Sequence, residues 1–192
     1  DTVTIGLGTS NITLTSGSVG GGAPTSATHT SDAACEYSSW RQITIDNTKV
    51  SGTSDLSDFP LLVSLSGGWL KTTAADPTNG RIENDYGYDI IFKDTSGTQL
   101  DHEIEEYDGT NGTFVAWVRI PTISYNIDTV IYMYYGNGCI SSSQENVTGV
   151  WDSDYKAVWH LKEDPSGTAP QINDSTLNNN DGTTGGTMIS GN

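Results

Sequence analysis

Residues 99–120 have the sequence QLDHEIEEYDGTNGTFVAWVRI, which predicts two extended strands joined by a tight turn. The turn is Asp108-Gly109-Thr110-Asn111-Gly112, whose Asp, Asn and Gly residues favour tight turns. The predicted strands are 99–107 and 113–120. Since consecutive strands joined by a short loop pair antiparallel, this hairpin points to an antiparallel sheet.

Further short strands are predicted on both sides of this hairpin. Thr95-Ser96-Gly97-Thr98 is a second tight turn, and no helical periodicity extends beyond about two turns. One short helix is expected at residues 69–75. Together these patterns predict an all-β chain whose body, residues 35–150, is an antiparallel, jelly-roll-like β-sandwich. The other predicted strands are 41–46, 61–65, 89–93 and 129–135.

Residues 1–34 are expected to form a separate segment, an extended N-terminal strand arm. Apolar residues alternate in two stretches, and residues 17–30 have the Gly/Ser/Thr composition of a linker. Because an isolated strand leaves its backbone groups unpaired, we expect residues 2–14 to pair with a neighbouring subunit's sheet. The competing interpretation is an ordinary first strand of the same sandwich. The assembly residues are Val3, Ile5, Leu7, Ile12 and Leu14.

Residues 151–192 form a third segment, rich in Gly, Asn and Thr toward its end. Residues 155–161 are predicted to be one more strand. Residues 174–182 place oxygen-bearing side chains at alternate positions, as calcium loops do, but lack the later bidentate Glu of an EF-hand. A plain polar turn and a calcium loop both remain open.

Charge and composition restrict the partners and the location. The 192-residue chain has 24 acidic and 8 basic residues, a net charge of -16, which repels nucleic acid. No apolar run reaches the ~20 residues of a membrane span. A first residue that is Asp and not Met suggests a processed secreted protein, so we expect an extracellular or cell-surface location. The glycosylation candidates are Asn11, Asn111, Asn146 and Asn173.

The two cysteines, Cys35 and Cys139, border predicted strands. In an oxidising compartment, an even number of cysteines predicts a disulfide. Two cysteine ligands alone do not make a zinc site.

Asp101, Glu103 and Glu105 are the candidate site residues of the densest charged run, because alternate residues of a strand share one face. Such a row suits a Ca²⁺ ion, acid–base chemistry or a solvated sheet face. No nucleophile elbow, phosphate loop or Cys-x-x-Cys motif occurs, so we expect no enzymatic activity and no cofactor, with Ca²⁺ the one candidate ion. Tyr132, Tyr134 and Tyr135, with Trp117, are either sandwich core or a sugar-stacking platform.

An ordered set of short motifs resembles the family called domain of unknown function 2341, over about residues 36–161. The resemblance implies a β-domain of secreted and surface proteins with no established catalysis. Many relatives continue into a laminin-G or concanavalin-like domain, whose opening is similar to residues 158–161, 174–176 and 181–182, here truncated. The motifs that carry the resemblance lie at residues 40–47, 58–63, 89–92, 100–105, 116–118, 132–137 and 150–152.

Two functions follow as hypotheses. The first is a structural subunit of an extracellular filament or surface layer, with further copies of itself as partners and β-strand donation as the link. The second is an adhesion or carbohydrate-binding module that binds surface glycans.

Overall fold

A computed structural model describes residues 2–5, 10–18 and 35–186 of the chain, the first two ranges as backbone only. Nearly all regular structure is β, as the sequence predicts. The one α-helix described is the single turn α1, and no described helix is long and apolar enough to cross a membrane. The elements are β1 (Thr2–Ile5), β2 (Ser10–Ser18), β3 (Ser39–Ile45), β4 (Leu56–Ser66), β5 (Ile91–Asp94), β6 (Gln99–Leu100), β7 (His102–Asp108), β8 (Thr113–Ile123), β9 (Thr129–Tyr135) and α1 (Val147–Val150).

Two antiparallel sheets form the body. The first sheet has the strand order β1-β2-β3-β9-β5-β6, and the second has the order β4-β8-β7. The predicted hairpin is present as β7 and β8, joined by the turn at 109–112. The all-β sandwich expected from the sequence is therefore confirmed.

The core lies between the two sheets. Along β8 every second residue from Phe114 to Ile120 is buried, because successive side chains of a strand point to opposite faces. From the first sheet, Ile43, Phe92 and Met133 are also fully buried in the same core cluster. Burial of each such side chain contributes roughly 1.5–3 kcal/mol before ordering costs.

A β-bulge interrupts the alternation of β7. Ile104 pairs with Ala116 and Glu106 with Val115, so Glu105 is an extra residue without an opposite partner. The extra residue shifts the alternation by one position. As a result Tyr107 packs against the core, as Ile104 does, and its hydroxyl donates to the Leu70 carbonyl at 2.8 Å.

The predicted strand at residues 155–161 is wrong. This stretch has no strand partner within the described part of the chain. The Val158 N–H donates to the Asp174 carboxylate at 2.9 Å, and the Val158 carbonyl accepts from the Ser175 N–H at 2.9 Å. The Asp174 carboxylate therefore accepts the hydrogen bond that the carbonyl of a neighbouring strand would have accepted from Val158. The expected helix at 69–75 is only a 3-10 turn, Gly68–Leu70.

The N-terminal strands lie on the chain's own body. β1 pairs with β2, and β2 pairs with β3 over six residues from Thr13↔Thr44 to Ser18↔Ser39. In the single chain, β1 and β2 pair within their own body because the edge of β3 offers a partner, and pairing of residues 2–14 with a neighbouring subunit stays a prediction. Of the assembly residues, Leu7 lies outside the described residues. Val3, Ile5, Ile12 and Leu14 pair in register with Ile12, Ser10, Val3 and Ile43.

The predicted disulfide is present between Cys35 and Cys139. Beside it, the Asn137 amide donates to the Cys35 carbonyl at 2.9 Å, and its side-chain oxygen accepts from the Cys139 N–H at 3.0 Å. These bonds attach the start of the body to the chain beyond β9.

Candidate functional site

Two acidic residues of β7 lie on the outer face of the second sheet, away from the core. Glu103 pairs in register with Trp117 of β8, and both alternate with the core residues His102 and Val118. The Trp117 indole donates to Glu105 Oε2 at 2.7 Å. Glu103 is only 5% exposed, which is unusual for a carboxylate unless it is paired.

Residues 151–186, the C-terminal segment, cover Glu103 with three side chains from distant positions. The Trp151 indole donates to Glu103 Oε2 at 2.9 Å, and the Ser175 hydroxyl donates to Glu103 Oε1 at 2.7 Å. His160 Nε2 lies 3.2 Å from Glu103 Oε2. The cluster of Glu103, Glu105, Trp117, Trp151, His160 and Ser175 is called the Glu103 cluster below.

His160 lies between the two carboxylates. Its Nδ1 is 3.5 Å from Glu105 Oε2, and its side chain is 9% exposed. The imidazole also tilts against the Trp151 ring, which in turn contacts the Trp117 ring with centroids 5.3 Å apart. Both carboxylates accept from indole N–H groups, so the arrangement is suited to holding the C-terminal segment against the second sheet.

The structure does not arrange Asp101, Glu103 and Glu105, the predicted metal-site residues, as a metal site. Asp101 precedes β7, and its Oδ1 accepts from the Asn146 amide at 2.8 Å. Glu103 and Glu105 use their oxygens for the hydrogen bonds of the Glu103 cluster. Within residues 35–186, no group of three or more His, Cys, Asp or Glu side chains is arranged to hold a metal ion.

Asp174 organises a polar turn at the far end of the same segment. Its carboxylate accepts from the N–H groups of Val158, Thr176 and Asn180 and from the Thr176 hydroxyl, at 2.8–3.0 Å. Burial alone would raise the pKa of Asp174, but these hydrogen bonds hold it below its ordinary value. Of the two interpretations left open by the sequence, the structure has the plain polar turn.

His102 lies on the core side of β7 and is fully buried. Burial lowers the pKa of His102, which favours the neutral ring. Its Nδ1 is 3.4 Å from the Leu100 carbonyl, and its ring packs edge-on against Phe92. The carboxylates of Glu103 and Glu105 lie on the opposite face of β7.

The aromatic residues considered as one sugar-stacking platform are separated. Tyr135 is buried in the core, whereas Tyr132 and Tyr134 alternate with core residues and contact Trp40 and Tyr37 on the outer side of the first sheet. Trp117 belongs to the second sheet. Because the core lies between these groups, no single ligand contacts all of them.

Three of the glycosylation candidates, Asn111, Asn146 and Asn173, are exposed. The Asn111 amide donates to Asp108 at 2.6 Å, and the Asn146 amide donates to Asp101 at 2.8 Å. Asn11 lies on β2, where side chains are outside the described residues.

The sequence did not indicate that Trp151, His160 and Ser175 meet at Glu103. The one available signal is the lone histidine next to a tryptophan, Trp159-His160, in a stretch whose pattern predicts a strand. Their convergence depends on the path of the C-terminal segment, which no local pattern predicts.

The family model described as "Domain of unknown function (DUF2341)" matches residues 86–162, and the resemblance noted in the sequence is confirmed over this range. The matched range includes five members of the Glu103 cluster, all except Ser175. Comparison with curated proteins finds no match, and comparison with solved structures finds none either.

Proposed function

We propose that this member of the DUF2341 family is a structural subunit of an extracellular filament or surface assembly, whose subunits are linked by donation of the β1–β2 hairpin. One observation carries the proposal. β2 fills the edge of β3 through a connection of 20 residues, positions 19–38, between strands that pair antiparallel.

That connection is far longer than the pairing requires. Antiparallel neighbours are usually joined by about 2–5 residues. Because Cys35 is bonded to Cys139, the part of the connection free to extend is residues 19–34, and 16 residues reach at most about 55 Å, enough to leave one sandwich and contact the next. The hairpin that docks on its own β3 can therefore dock on an identical β3 with the same register, since a swapped element keeps its contacts.

The position of the disulfide favours this exchange. Cys35 is bonded to Cys139, so the disulfide fixes the chain four positions before β3 begins. The chain before Cys35 can leave without pulling the body open. A disulfide across 104 residues also suits an oxidising, extracellular compartment.

The edge of the second sheet at β7 is closed to an added strand. The Ile104 N–H donates to Glu145 Oε1 at 2.7 Å, and the His102 carbonyl accepts from the Asn146 N–H at 3.2 Å. Glu145 and Asn146 thereby occupy the ladder positions that a partner strand would use. Addition of a donated strand at β7 is therefore disfavoured.

Cysteine pairing between two molecules tests the proposal. Thr15 and Gln42 are register partners of β2 and β3. Separate Thr15→Cys and Gln42→Cys variants are mixed, left to exchange and oxidised. Donation between molecules gives a covalent dimer linked 15–42, identified by mass spectrometry of its peptides.

The matched control replaces Gln42→Cys by Ser96→Cys, which lies in the exposed turn between β5 and β6. We expect no enrichment of a 15–96 link. The proposal is contradicted if the mixed single variants give no 15–42 link, the double variant Thr15→Cys/Gln42→Cys forms that link only within one molecule, and the protein is monomeric at every concentration.

The second candidate function is a glycan-binding module of a surface protein. The observation that favours it is the exposed ring of Tyr86, which stacks on the half-buried Tyr88.

A further inference from the structure

Tyr86 presents an aromatic ring to solvent at the tip of the loop before β5. Its side chain is 70% exposed, and it stacks on Tyr88 with centroids 5.3 Å apart and planes at 25°. Stacking covers one face of the Tyr86 ring and leaves the other face open. An exposed, backed ring is a flat apolar platform.

The loop that carries Tyr86 is fixed by buried polar contacts. Asp89 is fully buried and accepts from the N–H groups of Glu83 at 2.8 Å, Asn84 at 3.1 Å and Gly136 at 3.1 Å. Asn84 Oδ1 then accepts from the Tyr86 N–H at 2.9 Å. The ring therefore has a defined position before any ligand arrives, which lowers the ordering cost of binding.

From this geometry we infer that Tyr86 is the stacking platform of a binding site for a neutral saccharide, deepening the glycan-binding candidate. The C–H face of a pyranose with equatorial hydroxyls packs on the open ring face. Glu83 and Asp85, close to Tyr86 in the same loop, are exposed and provide carboxylate oxygens that accept hydrogen bonds from sugar hydroxyls. The net charge of -16 disfavours saccharides that carry carboxylate or sulfate groups.

The surroundings of Tyr86 favour a saccharide over a protein partner. A stable protein interface covers about 800 Å² on each side and has an apolar centre. Among the described residues, the other exposed large apolar side chains lie in the 124–128 loop and in the C-terminal segment. The 124–128 loop lies just before β9. The Tyr86 loop lies at the other end of that strand, because Asp89 binds the N–H of Gly136, just after β9. The two loops are therefore separated by the length of β9, about 20 Å.

Titration calorimetry of the full chain with cellotetraose and chitotetraose, two neutral oligosaccharides with equatorial substituents, tests the inference. We expect millimolar or tighter binding of at least one of them. Tyr86→Ala should weaken it by about tenfold or more, while Tyr86→Phe keeps it, because stacking does not need the hydroxyl.

Tyr125→Ala is the matched control, since Tyr125 is 40% exposed at the opposite end of β9. It should bind as the unaltered protein does, and sialyllactose, an anionic saccharide, should not bind. The inference is overturned if neither oligosaccharide binds the unaltered protein, or if a Tyr86→Ala variant with an unchanged melting temperature binds as well as the Tyr125→Ala variant. Neither outcome depends on hairpin donation, so the structural function is tested separately.

Discussion

The Trp151 indole donates a hydrogen bond to Glu103 at 2.9 Å, across 48 positions of the sequence. Ser175 donates to the same carboxylate across 72 positions. One buried side chain of the second sheet thus binds two widely separated residues of a long segment that has almost no strand structure of its own. The stability of that segment depends on a few polar contacts, which makes it open to test by substitution.

Glu103→Ala should destabilise the protein by on the order of 3 kcal/mol. The substitution leaves the Trp151 N–H and the Ser175 hydroxyl without their acceptor in a buried place, at roughly 1–3 kcal/mol for each unsatisfied group. Urea unfolding followed by tryptophan fluorescence measures the loss. Glu106→Ala, one exposed position beyond the bulge, is the control and should change stability by less than about 0.5 kcal/mol. Equal stability of the two variants contradicts the role of Glu103.

Asp174→Ala should loosen the C-terminal segment while the sandwich stays folded. The N–H groups of Val158, Thr176 and Asn180 lose their shared acceptor, so we expect faster proteolytic cleavage within 151–186. Limited proteolysis with mass spectrometry locates the cuts. Asp154→Ala, exposed in the turn after α1, should keep the cleavage pattern of the unaltered protein.

The same carboxylate predicts a dependence on pH. Its pKa lies below the ordinary value of 3.8 in the folded protein, so the stabilisation it provides is complete above that value. It is lost as the pH falls through the folded pKa, when the carboxylate becomes protonated. The melting-temperature difference between the unaltered protein and Asp174→Asn should therefore be largest near neutral pH and shrink toward pH 3. If the melting-temperature difference grows as the pH falls, the Asp174 carboxylate does not stabilise the fold in this way.

Removing the disulfide should cost about 4.7 kcal/mol in the chain-entropy model, because the bond closes a loop of 104 residues. Cys35→Ser/Cys139→Ser unfolds at lower denaturant concentration than the unaltered protein, measured without reductant. Adding reductant should lower the midpoint of the unaltered protein and leave that of the double variant unchanged. A reductant effect on both proteins indicates another cause.

Calcium should leave the melting temperature unchanged, and so should EDTA. Glu103 and Glu105 already accept hydrogen bonds from indoles, and Asp101 faces Asn146. Differential scanning fluorimetry with and without millimolar Ca²⁺ measures the effect. If Ca²⁺ raises the melting temperature of the unaltered protein but not that of Glu105→Gln, these carboxylates do bind the ion.

Much of the fold could be predicted from local sequence. Residues 129–135 are a strand with the predicted bounds, and the turns at 95–98 and 108–112 join strands as expected. Alternation with period two and Gly/Asn/Asp turns are local properties, and they determine where strands begin and end. The disulfide partners followed from having only two cysteines.

Other features were decided only by the tertiary structure. The bulge at Glu105 changes which residues of β7 face the core, and the alternation of the sequence gives no sign of it. The docking of β2 on β3 depends on a free edge elsewhere in the chain. Residues 155–161 have a strand-like sequence, yet Asp174 takes the Val158 N–H that a ladder would need.

For the candidate site, the sequence correctly predicted that Glu103 and Glu105 lie on one strand, whereas Asp101 lies just before it. Only the tertiary structure decided that Glu103 binds Trp151, His160 and Ser175 instead of an ion. The physical reason is that strand periodicity comes from the backbone geometry of adjacent residues. The hydrogen-bond donors of the buried Glu103 carboxylate, by contrast, lie 48 and 72 positions away in the sequence. Which distant donors reach it depends on how the whole molecule packs.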